Sequence, residues 1–229
     1  MLRTPHRLLL AVAALLLLAA FAFPLWRISL VAPQYPEGLG MLIRVNTVTG
    51  VEPHHLDNIN GLNHYIGMKR IVPDTIPELR IMPWALGALL LTGLGVAALG
   101  NRRLARIWAV VFLVGSLAGV ADFWRWQYDY GHNLDLENAP IKIPGMSYQP
   151  PLIGSKQLLN FTATSWPDLG GLAAFASLGL AIAVLVHDAR TRARTNRALR
   201  DLPTGDAHAN PGALRSPLIL RHTVEEAAP

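Results

Sequence analysis

Four separated blocks of apolar residues constrain this chain more than any other feature of its sequence. They lie at 8–25, 81–99, 104–121 and 169–186, and each approaches the roughly 20 residues that a helix needs to cross a bilayer. Hydrophobic residues make up 52% of the 229 residues and charged residues only 15%, whereas soluble domains carry roughly 25% charged residues. The sequence therefore predicts a mainly α integral membrane protein with four transmembrane helices and no large soluble enzyme domain.

The first block has two interpretations. Arg3 and Arg7 precede it, and the small-x-small triplet at 20–22 is typical of a signal-peptide cleavage site. The apolar run is also long enough to remain in the membrane as an anchor, which is the interpretation we favour. Both interpretations place the segment 26–80 outside the cytoplasm.

The distribution of Lys and Arg predicts the orientation. Twelve of the 20 basic residues lie in 1–7, 100–106 and 187–229, whereas the longer segments 25–81 and 122–168 contain the other eight. Because cytoplasmic segments are enriched in Lys and Arg, we expect both termini in the cytoplasm. The predicted organisation is a cytoplasmic N-terminus (1–7), a cytoplasmic turn (100–103), a basic cytoplasmic tail (187–229) and two loops outside the cytoplasm (26–80 and 122–168).

The basic tail is predicted to contact membrane lipid and not nucleic acid. Five arginines lie between Arg190 and Arg200, directly after the fourth block, where a basic cluster interacts with anionic lipid. The aromatic and recognition features of a nucleic-acid interface are absent from this sequence segment. From 202 onward the composition predicts disorder.

The two outer loops are predicted to form one small α+β extracytoplasmic cap, in which any specific chemistry resides. None of the apolar blocks has an ionisable residue in its middle, which weighs against an ion path or a haem site. Alternating residues at 41–48 and a β-prone stretch at 159–162 indicate strands. Small residues in the second and third blocks, including Gly93, Gly115 and Gly119, predict close helix packing.

Histidine and methionine in these loops are candidate copper ligands. His64 and Met68 are four residues apart, which on a helix directs both side chains to one face. The chain has no cysteine, and imidazole with thioether suits copper in an oxidising compartment. The complete set of predicted metal ligands is His64, Met68, His132, His54, His55 and Met146.

The segment 122–133 combines aromatic and polar residues. We interpret Trp124 and Trp126 as an aromatic belt at the membrane interface, and the following residues 129–133 as the part that contacts a metal or a partner. Nucleophilic-serine, phosphate-loop and HExxH patterns are absent from the sequence. We therefore expect no enzymatic activity.

Four short strings resemble a bacterial family of four-span membrane proteins. They are APQYPEGL at 32–39, NHYIGM at 63–68, DYGHNLD at 129–135 and YQPPLIG at 148–154. The family is associated with the maturation of nitrous oxide reductase in denitrification, a setting in which copper chaperones also occur. The resemblance implies a bacterial inner-membrane protein with both outer loops in the periplasm. It further implies an accessory factor that binds copper or transfers it to a periplasmic copper protein or to other maturation factors. The alternative function is a scaffold without metal that docks a respiratory or maturation complex through its periplasmic loops.

Overall fold

The computed structural model describes residues 1–143 and 145–200, and of Leu199 only the backbone. The chain divides into two units, 1–190 and 191–229, and the architecture below belongs to the first. The predicted disorder from 202 onward lies outside the described residues.

Four helices of the described chain are long and apolar enough to cross a membrane. The first candidate span consists of α1 (Thr4–Leu16) and the short α2 (Ala19–Ala22), which a break at 17–18 separates. The others are α4 (Pro77–Leu99), α5 (Arg102–His132) and α6 (Leu169–Arg200). The predicted number of long apolar helices is therefore confirmed.

A tight turn joins α4 and α5 into a hairpin. Gly100 takes up a left-handed conformation with φ +62° and ends α4, as is common for glycine after a helix. The side chain of Asn101 then accepts hydrogen bonds from the backbone N–H groups of Arg103 (2.9 Å) and Leu104 (3.4 Å). This N-cap satisfies two of the free donors at the start of α5.

Close helix packing occurs at only one of the five glycines of the second and third apolar blocks. A Cβ on Gly93 would lie 2.7 Å from the Trp108 ring and 2.9 Å from Ala14, so glycine is needed where α1, α4 and α5 meet. A Cβ on Gly87, Gly95, Gly115 or Gly119 would meet nothing within 4 Å among the described residues. Within the described chain the prediction of close packing is therefore wrong at these four positions.

Polar contacts join the helices at the end that carries the α4–α5 turn. Arg102 donates to both carboxylate oxygens of Asp188, at 2.8 and 3.2 Å. Nearby, Nε2 of the buried His6 lies 2.9 Å from Nδ1 of His187. These contacts connect α1, α5 and α6 at the predicted cytoplasmic face.

A five-stranded antiparallel sheet forms at the other end of the helices. Its order is β3-β2-β1-β5-β4, so strands from the first loop pair directly with strands from the second. The central pair of β1 and β5 runs from Trp26 opposite Pro167 to Val31 opposite Thr162. The strands are β1 (Trp26–Ala32), β2 (Tyr35–Ile43), β3 (Val48–Gly50), β4 (Gly154–Leu158) and β5 (Phe161–Pro167). The prediction that both loops build one small α+β unit is confirmed.

Every long helix departs from its predicted bounds at one end or both, and two differences affect the cap. The helix α5 continues to His132, so residues 122–132 are helical and not part of a loop. No proline interrupts this stretch, and Arg125 forms an i,i+3 ion pair with Asp122 at 2.8 Å that supports the helix. In the first loop the single predicted strand at 41–48 is replaced by β2, a turn and β3, and α3 (His55–Tyr65) follows.

Candidate functional site: an apolar cavity in the cap

The cap encloses a cavity of about 520 Å³ between the sheet and two helices. One wall is the inner face of the sheet. Because side chains alternate along a strand, Ile28, Leu30 and Ala32 of β1 point to this face, and Met41 lies opposite Ile28 in the register. The sheet therefore provides a continuous apolar wall.

The outer end of α5 forms the second wall. Phe123, Trp126, Gln127 and Tyr130 line the cavity, at spacings of three, four and seven residues that place them on one helical face. The Phe123 ring lies 5.2 Å from the Trp26 ring, and Trp26 Nε1 donates to Ser165 Oγ at 2.8 Å. Aromatic contact and this buried hydrogen bond together fix α5 against β1 and β5.

The third wall is α3 with the chain that follows it. The buried Asn60 donates to the backbone carbonyl of Ile71 (3.1 Å) and accepts from the Ile71 N–H (2.7 Å). This two-way bond holds the returning segment beside α3. On the outer surface Lys69 forms an ion pair with Asp129 of α5 at 2.7 Å. The apolar lining from this wall includes Ile59, Leu62, Ile66, Met68, Ile71 and Ile76.

A close backbone approach brings the segment 148–151 to the cavity. The backbone N–H of Tyr148 donates to Gly131 O at 2.9 Å, and a Cβ on Gly131 would lie only 2.4 Å from the Gln149 backbone N. Only glycine permits this contact. As a result the Tyr148 ring is 3% exposed and lines the cavity beside the Phe161 ring, at a centroid distance of 6.5 Å.

The lining is uncharged but contains polar atoms that lack partners. No Asp, Glu, Lys, Arg or His is among the described residues that line the cavity. Three buried atoms of lining residues have no hydrogen-bond partner within the described chain: Trp126 Nε1, Gln127 Oε1 and the Tyr148 hydroxyl. Burial raises the pKa of Tyr148 above its ordinary value near 10, so the hydroxyl keeps its proton at neutral pH. Such polar atoms in an apolar cavity are typical of a site that orients a ligand.

The cavity reaches the protein surface on the side of the hairpin tips. Tyr65, Ile141 and Leu159 line it and are also 54%, 47% and 41% exposed. The backbone N–H of Ile141 donates to Tyr65 O at 2.9 Å, which joins two sides of this opening. A ligand can therefore enter without unfolding the cap.

His54 and His55, two of the predicted copper ligands, lie at the start of α3. His54 is exposed just before the helix. Nδ1 of His55 accepts a hydrogen bond from the Gly40 N–H at 3.1 Å, which ties α3 to β2. One ring nitrogen of His55, Nδ1, is therefore occupied by a structural hydrogen bond.

The prediction that His64 and Met68 share a helical face is wrong, because α3 ends at Tyr65. Gly67 follows in a left-handed conformation with φ +78°, and the Met68 N–H turns back to Asn63 O at 2.8 Å. His64 is exposed, whereas Met68 lines the cavity.

His132 and Met146 lie on other parts of the cap. His132 ends α5 and is exposed, with its ring stacked on Tyr128 at 4.0 Å and Nδ1 3.1 Å from Tyr128 O. Met146 is half-buried in the loop before Tyr148. No group of three or more His, Asp or Glu side chains suited to a metal ion occurs within 1–143 and 145–200. Copper binding by the six predicted residues stays a prediction.

Comparisons of the chain with protein-family models, curated proteins and solved structures found no match. The resemblance to proteins of nitrous oxide reductase maturation, like the copper-transfer and docking functions derived with it, therefore stays a prediction.

The residues that distinguish this site were not predicted from the sequence. Trp126 was interpreted as part of an aromatic belt, and neither Gln127 nor Tyr148 was singled out. The spacing of Phe123, Trp126, Gln127 and Tyr130 carried the signal, since a stripe of this period predicts a buried helical face. Trp124, in contrast, is 48% exposed with its ring 5.4 Å from that of Tyr128, as expected for an interfacial residue.

Proposed function

We propose that this protein is a membrane-anchored binding protein whose cap holds the apolar part of an amphiphilic small molecule. The observation that carries the proposal is the cavity of about 520 Å³ with its uncharged, mainly apolar lining among the described residues. Ligand sites of folded proteins have volumes of roughly 300–1,000 Å³ and similar linings. Four helices long and apolar enough to span a membrane support a site close to a source of such molecules.

The size of the cavity argues against a packing defect. Protein interiors have few voids larger than a water molecule, because each void forfeits contacts. This cavity is bounded by α3, α5 and all five strands, and hydrogen bonds at Trp26 and Asn60 hold its walls together. Walls joined in this way around a large apolar space support binding of a hydrophobic group.

Native mass spectrometry with a cavity-filling variant tests the proposal. Full-length protein is extracted in detergent and washed until loosely held lipid is removed. We expect the wild type to retain a small-molecule mass and Met41→Trp to lose most of it, because the larger ring occupies the space beside Ile28. Leu117→Trp is the matched control, since Leu117 is 61% exposed on α5 and lies outside the cavity.

Two results would contradict the proposal. One is a wild-type protein that retains no small molecule under conditions in which its fold persists. The other is equal retention by Met41→Trp and Leu117→Trp, which would place the bound molecule on the helices and not in the cap.

A further inference from the structure

We infer that the cavity selects an uncharged amphiphile whose head group is a hydroxyl. This inference rests on the proposed function and adds the chemistry of the head group. It depends on the three buried polar atoms of the lining, which differ in what they can donate and accept.

The three atoms require both a donor and an acceptor. Trp126 Nε1 carries a hydrogen and can only donate, so it needs an acceptor on the ligand. Gln127 Nε2 already donates to Pro151 O at 3.4 Å. The unpaired atom of the same amide is therefore the oxygen, Oε1, which can only accept. The Tyr148 hydroxyl does either. A hydroxyl group offers one donor and two lone pairs and thus matches this set.

The backbone places these atoms along one stretch of α5. Gln127 and Gly131 are four residues apart and lie on the same side of the helix. Gln127 contacts Pro151, and Gly131 accepts the hydrogen bond from Tyr148. The segment 148–151 is therefore held at two points against the helical turn that also carries Trp126.

Burial makes the unpaired atoms expensive in the absence of a partner. Gln127 is 5% exposed and Tyr148 is 3% exposed. A buried polar group without a hydrogen bond costs about 1–3 kcal/mol, and a ligand that pairs it recovers that cost on binding. Recognition through such groups discriminates strongly against analogues that lack the matching hydrogen.

The lining also argues against a charged head group. A carboxylate or phosphate buried in the cavity would find no Lys, Arg or His among the described lining residues, and an unpaired buried ion is far more costly than a neutral group. A ketone or ether offers only acceptors and leaves Gln127 Oε1 unpaired. A neutral alcohol fits better than either class.

Photoaffinity labelling with three matched probes tests the inference. The probes are hexadecanol with a diazirine in the chain, its methyl ether, and the corresponding hexadecanoate. Full-length protein in lipid nanodiscs is irradiated, and labelled peptides are identified by mass spectrometry. We expect the alcohol to label cavity peptides at about fivefold lower concentration than the ether, as one hydrogen bond of average strength predicts, and the carboxylate to label them least.

Variants of the polar residues connect the preference to these side chains. Gln127→Leu removes the acceptor, and Tyr148→Phe removes a hydroxyl without breaking any bond seen within the described residues. Gln127→Leu should bring the alcohol and the ether close to equal labelling, because it removes the acceptor that only the alcohol can pair. Tyr148→Phe should weaken labelling by both probes, because an ether oxygen can also accept from the Tyr148 hydroxyl. Gln157→Leu makes the same exchange on the exposed face of β4 and should keep the wild-type preference.

The outcomes separate this inference from the proposed function. Equal labelling of wild-type cavity peptides by alcohol and ether, or an unchanged preference in Gln127→Leu, would overturn the hydroxyl inference while cavity binding stands. Labelling by all three probes outside the cap alone would overturn the proposed function itself.

Discussion

At the residue scale, one glycine determines whether the polar part of the cavity forms. Gly131 lies in the last turn of α5, where its missing side chain lets the backbone of Gln149 approach. The contact positions Tyr148 and, through Pro151, the amide of Gln127. A single added carbon at this position would therefore displace the segment 148–151 from α5.

Gly131→Ala should destabilise the protein, and Gly119→Ala should not. A Cβ at 131 would overlap the Gln149 backbone, and such overpacking costs roughly 1–3 kcal/mol. At 119 nothing described lies within 4 Å, so the helix propensity of alanine should stabilise by about 1 kcal/mol. Thermal unfolding in the same detergent measures both. Equal melting temperatures would mean that 148–151 is not packed on α5.

The pH dependence of binding is also determined by individual side chains. Because burial raises the pKa of the Tyr148 hydroxyl, its protonated form persists at neutral pH and is lost only above pH 10. No acid or base other than tyrosine is among the described lining residues. Labelling by the hexadecanol probe should therefore stay constant from about pH 6 to about pH 9. A midpoint within that range would reveal a titrating group in contact with the ligand.

At the element scale, β1 and α5 organise the cap. The sequence predicted the helix, but it did not predict the partner of the strand. The apolar blocks predicted the four long helices because span length is a local property. The pairing of β1 with β5 joins residues about 140 positions apart, from Trp26–Pro167 to Val31–Thr162, and no local pattern specifies such a partner. The cavity was missed for the same reason. The stripe on α5 predicts a buried face, but not that a sheet covers it.

Cysteine cross-linking tests the register of the central strands. The chain contains no cysteine, so an introduced pair is the only one present. Ser29→Cys with Thr164→Cys places two thiols directly opposite each other in the β1–β5 register, within reach of a disulfide. Ser29→Cys with Trp166→Cys is displaced by two residues and should cross-link poorly. Diamide oxidation and peptide mapping measure both, and a preference for the displaced pair would contradict the register.

At the scale of the whole molecule, one cluster of polar contacts between helices lies at the opposite end of the long helices from the cap. Arg102, Asp188, His6 and His187 connect the helices at the end with the α4–α5 turn, and the sheet joins both loops at the other. The cavity therefore lies at the end of the helices away from the α4–α5 turn. The orientation predicted from the excess of Lys and Arg in the terminal segments and the turn stays a prediction.

Labelling of single cysteines in intact cells tests this orientation. Asn133→Cys follows α5 in the cap, and Arg103→Cys lies in the first turn of α5, directly after the α4–α5 turn; both positions are exposed. If the basic turn is cytoplasmic, a membrane-impermeant maleimide should label position 133 once the outer membrane is permeabilised, and position 103 only after the inner membrane is disrupted. Labelling in the opposite order would place the cap in the cytoplasm. The cavity could then still bind an alcohol, but its ligand would have to come from the inner leaflet or the cytoplasm, and copper binding in an oxidising compartment would lose its basis.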